Sequence, residues 1–126
     1  MKKEFVNYNQ ALKLKAIGFD EPCFGFYLED GTWTPASYSR EGTVYPSNTD
    51  LLPEWCAAPL YQQVFRWFRE EYGMIFTLIA STYYYPSVSF INTDGNSEIE
   101  LGEFETYEEA ELACLDKLIE MAHPNN

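Results

Sequence analysis

The residues able to make or break bonds are few and far apart. Cysteines stand at positions 23, 56 and 114, and the single histidine is His123, the fourth residue from the end. Three widely spaced thiols with no CxxC pair form neither a disulfide framework nor a zinc knuckle. A reactive thiol needs a cation or a helix N-terminus beside it, and none of the three is so placed. Cys114 falls on the apolar side of a predicted helix. A Ser-His-Asp or Cys-His device needs an imidazole held by packing and by a third group, and a tail histidine has neither. Zinc or iron sites take several His or Cys ligands close together. The expectation is therefore no metal, no cofactor and no catalytic residue.

Other constellations are binding chemistry. Arg66 and Arg69 flank Trp67 at helical spacing; such a group binds a phosphate or carboxylate, unless it is simply the wet side of a helix. Tyr83, Tyr84 and Tyr85 are consecutive. In a strand they alternate faces, so at least one ring is exposed for a partner. Trp33, Trp55, Tyr38 and Tyr45 come from hairpin and loop regions. Glu109, Asp116 and Glu120 share the polar face of a predicted helix and would meet a basic partner. Two charges fall on apolar arcs instead: Lys15 among Tyr8, Ala11, Leu12 and Leu14, and Glu111 in the stripe of Tyr107, Ala110, Cys114, Leu118 and Met121. A buried lone charge is costly. Each is expected either to snorkel to water or to form a structural ion pair, Lys15 with Glu111, or Glu111 with Arg66 or Arg69. Asn92–Glu98 superficially matches a calcium loop, but Gly95 directly follows Asp94 and the spacing fits a hairpin turn.

The elements that must position these groups belong to a 126-residue chain, one domain in size, with 46% apolar and 17% aromatic residues. That composition folds rather than stays disordered. Eight cations against 20 carboxylates leave −12, which argues against direct nucleic-acid binding and against an anionic membrane. From Asp94 onward ten carboxylates face one lysine. One version of a basic partner is a nucleic-acid-binding protein, occupied by carboxylates that imitate a DNA backbone. Polar residues follow Met1-Lys2-Lys3 where a signal peptide needs an apolar core, and the run Met74–Ala80 is far below a membrane span of about 20 residues. The expectation is a soluble, cytoplasmic protein. Its oligomeric state is left open.

Three helices are predicted: Tyr8–Ile17 stopping at Gly18, Pro59–Tyr72 stopping at Gly73, and Tyr107–Ala122 ended by Pro124. Asn7 and Thr106 each precede Gln or Glu by three positions, the capping-box spacing. Cys23–Glu29 and Thr32–Ala36 flank the hairpin pair Asp30-Gly31. Met74–Tyr84, then Ser87–Asn92 and Glu98–Glu103 around Asp94-Gly95-Asn96, supply the other strands, with Pro86 setting a bend. Residues 37–58 read as a long loop with at most one short strand. The order α-β-β-(loop)-α-β-β-β-α predicts an α+β fold with three helices packed on one antiparallel sheet of about five strands.

The segments Ala11–Lys15 with Gly18–Cys23, Ala58–Gln63 with Phe65–Arg69, and Thr106–Glu120 resemble a set of small proteins from gut-type Bacteroidetes and their phages or mobile elements. The resemblance covers the helix regions, implies an accessory protein of a mobile element, and transfers no catalytic residue. Residues and resemblance together point to a non-enzymatic protein-interaction module, accessory or inhibitory, with a basic partner. The alternative is a small-ligand binder built on aromatic rings and an arginine. An enzyme running on carboxylates, tyrosines or a cysteine alone ranks third.

Overall fold

The computed structural model describes residues 4–39, 42–90 and 98–122. It is α+β, with three helices, and it divides into two compact units, Met1–Leu60 and Tyr61–Asn126. Its strands form two three-stranded antiparallel sheets and one two-stranded ladder. The expected single sheet of about five strands is therefore corrected. Sheet membership is decided by long-range pairing, which local strand signals do not carry.

In the first unit, helix α1 (Tyr8–Ala16) begins where the Asn7 side chain accepts the Gln10 N–H at 2.8 Å. It ends in a Schellman motif: Phe19 N–H reaches Leu14 O at 3.0 Å and Gly18 N–H reaches Lys15 O at 3.1 Å. Gly18 sits at φ 98°, where a residue with a Cβ is strained. The face turned inward is Gln10, Ala11 and Leu14; Leu12, expected on that arc, is exposed.

Strands β1 (Gly25–Tyr27) and β2 (Trp33–Pro35) form the Asp30-Gly31 hairpin, Tyr27 opposite Trp33. The turn is one residue longer than a two-residue loop: Leu28 N–H bonds Thr32 O, Gly31 N–H bonds Leu28 O, and Gly31 takes φ 86°. Asp30 accepts the Thr32 N–H at 2.9 Å; hydrogen bonding from Thr32 holds its carboxyl below the ordinary value.

Residues 37–58 contain more strand than expected. β3 (Ser37–Ser39) and β4 (Gly42–Val44) form the ladder, and β5 (Cys56–Ala57) completes the sheet order β2-β1-β5. A 3-10 turn, Asn48–Asp50, ties this region down. The Asn48 amide donates to Phe19 O at 2.7 Å, and its oxygen accepts the Ala57 N–H at 2.8 Å. Asp20 accepts both the Thr49 N–H and its hydroxyl.

In the second unit, α2 (Tyr61–Tyr72) buries Tyr61, Val64, Trp67 and Phe68 and exposes Gln62, Arg66 and Arg69. Gly73, at φ 66°, turns the chain into β6 (Met74–Ala80). The turn 81–83 returns it as β7 (Tyr84–Phe90), so Tyr83 lies in the turn and Pro86 lies inside β7 rather than at a bend. Tilted packing of the Phe65 and Phe76 rings, 4.1 Å between centroids, joins α2 to this hairpin.

β8 (Ile99–Glu100) adds to β7, and Tyr84 bridges Phe104. Between Glu100 and Phe104 the returning chain holds one residue more than β7 does between Ser87 and Tyr84. This is a bulge, with Gly102 at φ 100°. Tyr84 exchanges both backbone bonds with Phe104, and Pro86 O accepts the Leu101 N–H at 3.0 Å. The nitrogen of Pro86 therefore faces the bulge, and its missing N–H removes nothing from the β6 ladder.

Helix α3 (Tyr107–Ala122) starts at Thr106, whose oxygen accepts the Glu109 N–H at 3.1 Å while its hydroxyl donates to the Glu109 carboxylate at 2.9 Å. The expected box sends the carboxylate to a backbone N–H; here the hydroxyl takes it. The buried face is Ala110, Glu111, Cys114, Leu115, Leu118 and Ile119, so Ile119 takes the place expected of Met121. The expected hairpin turn Asp94-Gly95-Asn96 and His123 lie outside the described residues.

Candidate functional site

Alternation along the second sheet decides what each face offers. Phe76 opposes Val88 and Leu78 opposes Pro86 on the face that meets the helices, where Tyr84 also packs edge-on against Tyr107 of α3. Thr77 opposes Ser87 and Ile79 opposes Tyr85 on the other face. Glu100, opposite Ser87, extends that outer face across β8.

Six side chains there, Ile79, Tyr85, Ser87, Glu98, Glu100 and Glu103, line a groove of about 480 Å³ completed by Pro86 and Gly102. Ile79 is 65% exposed and Tyr85 39%. Ser87 donates its hydroxyl to Glu98 at 3.1 Å, fixing one carboxylate against the strand. The groove thus combines an aliphatic side chain, a phenol ring and three carboxylates, with no cation in its lining. Such a surface accepts hydrogen bonds from ammonium or guanidinium groups and offers a ring face to a cation.

A second cavity, of about 330 Å³, lies in the first unit and is lined by Tyr27, Gly31, Thr32 and Trp33. The Trp33 indole nitrogen is buried without an acceptor. Neither cavity is lined by an arginine.

The sequence-predicted site residues are distributed as follows. Tyr85 enters the groove, Tyr84 faces α3, and Tyr83 lies exposed in the turn. Trp67 is buried edge-on against Phe68 and Tyr72, while Arg66 and Arg69 are exposed on α2. The ring and the two guanidinium groups are therefore not presented together. Glu109, Asp116 and Glu120 are exposed on α3, with Glu120 paired to Lys117 at 3.0 Å.

Lys15 donates to the carbonyl oxygens of Pro53 at 2.6 Å and Trp55 at 2.8 Å. Glu111 is 9% exposed and lies near the Tyr107 hydroxyl, which favours its charged form. Each of the two anomalous charges thus meets a polar group within its own unit. Burial raises the Glu111 carboxyl above its usual value, and the Tyr107 hydroxyl opposes that shift. Burial, then the neighbouring Glu111 charge, raises the Tyr107 phenol.

The thiols are all buried. Burial pushes Cys114 up to about 12, with help from Glu111, and Cys56 up to about 11, against the pull of the Lys15 charge. Thiols held that high are poor nucleophiles at neutral pH. Among the described residues no three His, Cys, Asp or Glu side chains are grouped to hold a metal ion, and no helix is long and apolar enough to cross a membrane.

Glu98, Glu100 and Glu103 were missed in the sequence, although the alternation Glu98-Ile99-Glu100-Leu101 places both acids on one strand face. No protein-family model matches the chain, and neither the curated proteins nor the solved structures searched include a match.

Proposed function

We propose that the chain is a non-enzymatic protein-interaction module whose docking face is the outer surface of the β6-β7-β8 sheet. The observation that carries this reading is the acidic groove, in which Glu98, Glu100 and Glu103 surround the exposed Ile79 and Tyr85. Apolar side chains open to water beside hydrogen-bond acceptors of one sign suit a basic protein segment carrying an apolar or aromatic residue. The partner's cations would pair with the carboxylates while its ring or aliphatic group covers Ile79. The acidic face of α3, with Glu109, Asp116 and Glu120, would steer such a partner by long-range attraction. An accessory role for a mobile element, which the family resemblance implies, is part of this proposal, as are an inhibitory role and a cytoplasmic location.

The test is a panel of Lys/Arg-rich peptides with and without a central aromatic residue, titrated against the full chain by fluorescence anisotropy. Basic aromatic peptides are expected to bind. Reversal of Glu98, Glu100 and Glu103 to Lys is expected to weaken them at least about tenfold. Reversal of Glu109, Asp116 and Glu120 is expected to slow association with a smaller loss of affinity. Equal loss in the two triple variants would reduce the effect to net charge and discard the groove.

A second reading rests on the Trp33 cavity: a space lined by the Tyr27 and Trp33 rings suits a small planar ligand. Quenching of Trp33 emission across a panel of small aromatic acceptors, with no response to the peptides, would favour it.

A further inference from the structure

The second sheet has two edges, and they are treated differently. The β8 edge is short and followed by the Gly102 bulge, both devices that blunt strand pairing. The β6 edge has neither. Met74–Ala80 pairs with β7 without interruption over its seven residues, and it carries no charge and no proline.

Its free hydrogen-bonding groups can be assigned. Tyr84 spends its backbone on Phe104, on the β8 side. Its opposite residue Ala80 therefore forms a non-hydrogen-bonded pair across the hairpin and directs its N–H and C=O outward. Alternation gives the same orientation to Leu78, Phe76 and Met74. Among the described residues, no hydrogen bond satisfies these outward groups. Met74 is itself buried, so the open donors and acceptors are those of Phe76, Leu78 and Ala80; such a row on an uncharged strand is a template for another strand.

We infer that the β6 edge is a strand-addition site for a second copy of this chain, paired antiparallel about a two-fold axis through Thr77. That register is self-complementary. Phe76 lies opposite Leu78 of the second copy, so their outward backbone groups pair across the axis, while Met74, 2% exposed, marks the covered end of the strand. Ile75 lies opposite Ile79 and Thr77 opposite Thr77, both on the outer face, where β-branched cross-strand neighbours pack well. The most exposed apolar side chain of the strand, Ile79 at 65%, gains an isoleucine neighbour.

Charge favours the same occupant. A chain of net −12 repels its copy over most of its surface. β6 and β7 contain no Asp, Glu, Lys or Arg, and Glu98 and Glu100 lie at the far edge of the sheet. A basic partner would gain nothing from charge here, whereas a copy meets the neutral edge at least cost. The pairing is isologous and closes at two chains, so it consumes both open edges. It shares Ile79 with the acidic-groove reading but does not rest on it, since it uses the backbone of the β6 edge and a different occupant.

The experiment is sedimentation equilibrium on the full chain and on Thr77 variants, with circular dichroism to confirm that each is folded. The wild type is expected to run at twice 14.6 kDa. Thr77→Lys and Thr77→Glu, which set like charges face to face across the axis, are each expected to run as monomers. Mixing the two is expected to restore the dimer. Thr77→Cys is expected to cross-link into a covalent dimer with oxidised glutathione, because a residue opposite itself in a non-hydrogen-bonded pair is within disulfide reach. Ile79→Cys, which faces position 75, is expected not to. A wild type that stays monomeric up to about 1 mM, or a dimer indifferent to both Thr77 charges, would overturn the proposal.

Discussion

The two units solve the same problem with different materials. The first holds strands of two or three residues, too short to be stable by their own ladders. It is tied by side chains that reach across the chain to backbone groups: Lys15 to Pro53 and Trp55, Asn48 to Phe19 and Ala57, and the Tyr27 hydroxyl to Val6 O at 2.5 Å. The second unit has two seven-residue strands, a 16-residue helix and a run of packed rings from Tyr61 to Phe76. There apolar area carries the fold, and polar groups are left for the surface. The charge follows suit. Residues 61–126 hold twelve carboxylates against three cations, whereas 1–60 hold eight against five. A unit that spends its polar groups internally has fewer to offer a partner. The unit with a sufficient apolar core presents the acidic groove.

Three measurements break or sharpen that contrast. The largest effect is expected from Phe68→Ala, which empties a fully buried aromatic site in the second unit and costs about 3–5 kcal/mol. Thiol labelling in denaturant reads it: Cys114 should become reactive at lower denaturant concentration than in wild type. Simultaneous exposure of Cys23 and Cys56 would make the units one cooperative fold.

Next comes Lys15→Met, which keeps the aliphatic stem but strips two carbonyl oxygens of their donor, at about 1–3 kcal/mol. Cys56 should then label earlier. Stability unchanged by Lys15→Met would mean that polar ties do not carry the first unit.

The smallest effect is expected from Glu111→Gln, and it depends on pH. The Glu111 carboxyl is raised by burial, so the folded state prefers it protonated. Its contribution is fully present below the unfolded value of about 4.5 and is lost as pH rises through the raised folded value. The variant, neutral at every pH, should match wild type near pH 4 and melt higher than wild type at pH 7. A variant that melts lower at pH 7 would show that the Tyr107 hydroxyl outweighs burial.

Much of this was legible in the residues. The caps at Asn7 and Thr106, the stops at Gly18 and Gly73 and the Asp30-Gly31 hairpin are local chemistry, set within a few positions. The sheets were not legible. β5 is two residues long, and its place beside β1 depends on pairing across some thirty positions, aided by an asparagine side chain. Likewise Pro86 reads as a strand breaker until the bulge at Gly102 shows where its nitrogen points. At the candidate site, Tyr85 was picked out because consecutive tyrosines must alternate. Glu98, Glu100 and Glu103 were not, because their approach to Ile79 and Tyr85 depends on long-range pairing of β8 with β7, which local alternation does not carry. The destiny of Lys15 was hidden for another reason: carbonyl acceptors leave no signature in side-chain spacing.

Gly25 carries a mechanical consequence. A Cβ there would lie 2.7 Å from the six-membered ring of Trp33, and the indole packs tilted against Phe5, 5.1 Å between ring centroids. Phe5 bridges Leu60, the last residue before the second unit begins. One added methyl would thus lever an indole, then a phenyl ring, then both ends of the segment that closes the first unit. The absence of a single carbon sets the spacing of that whole relay.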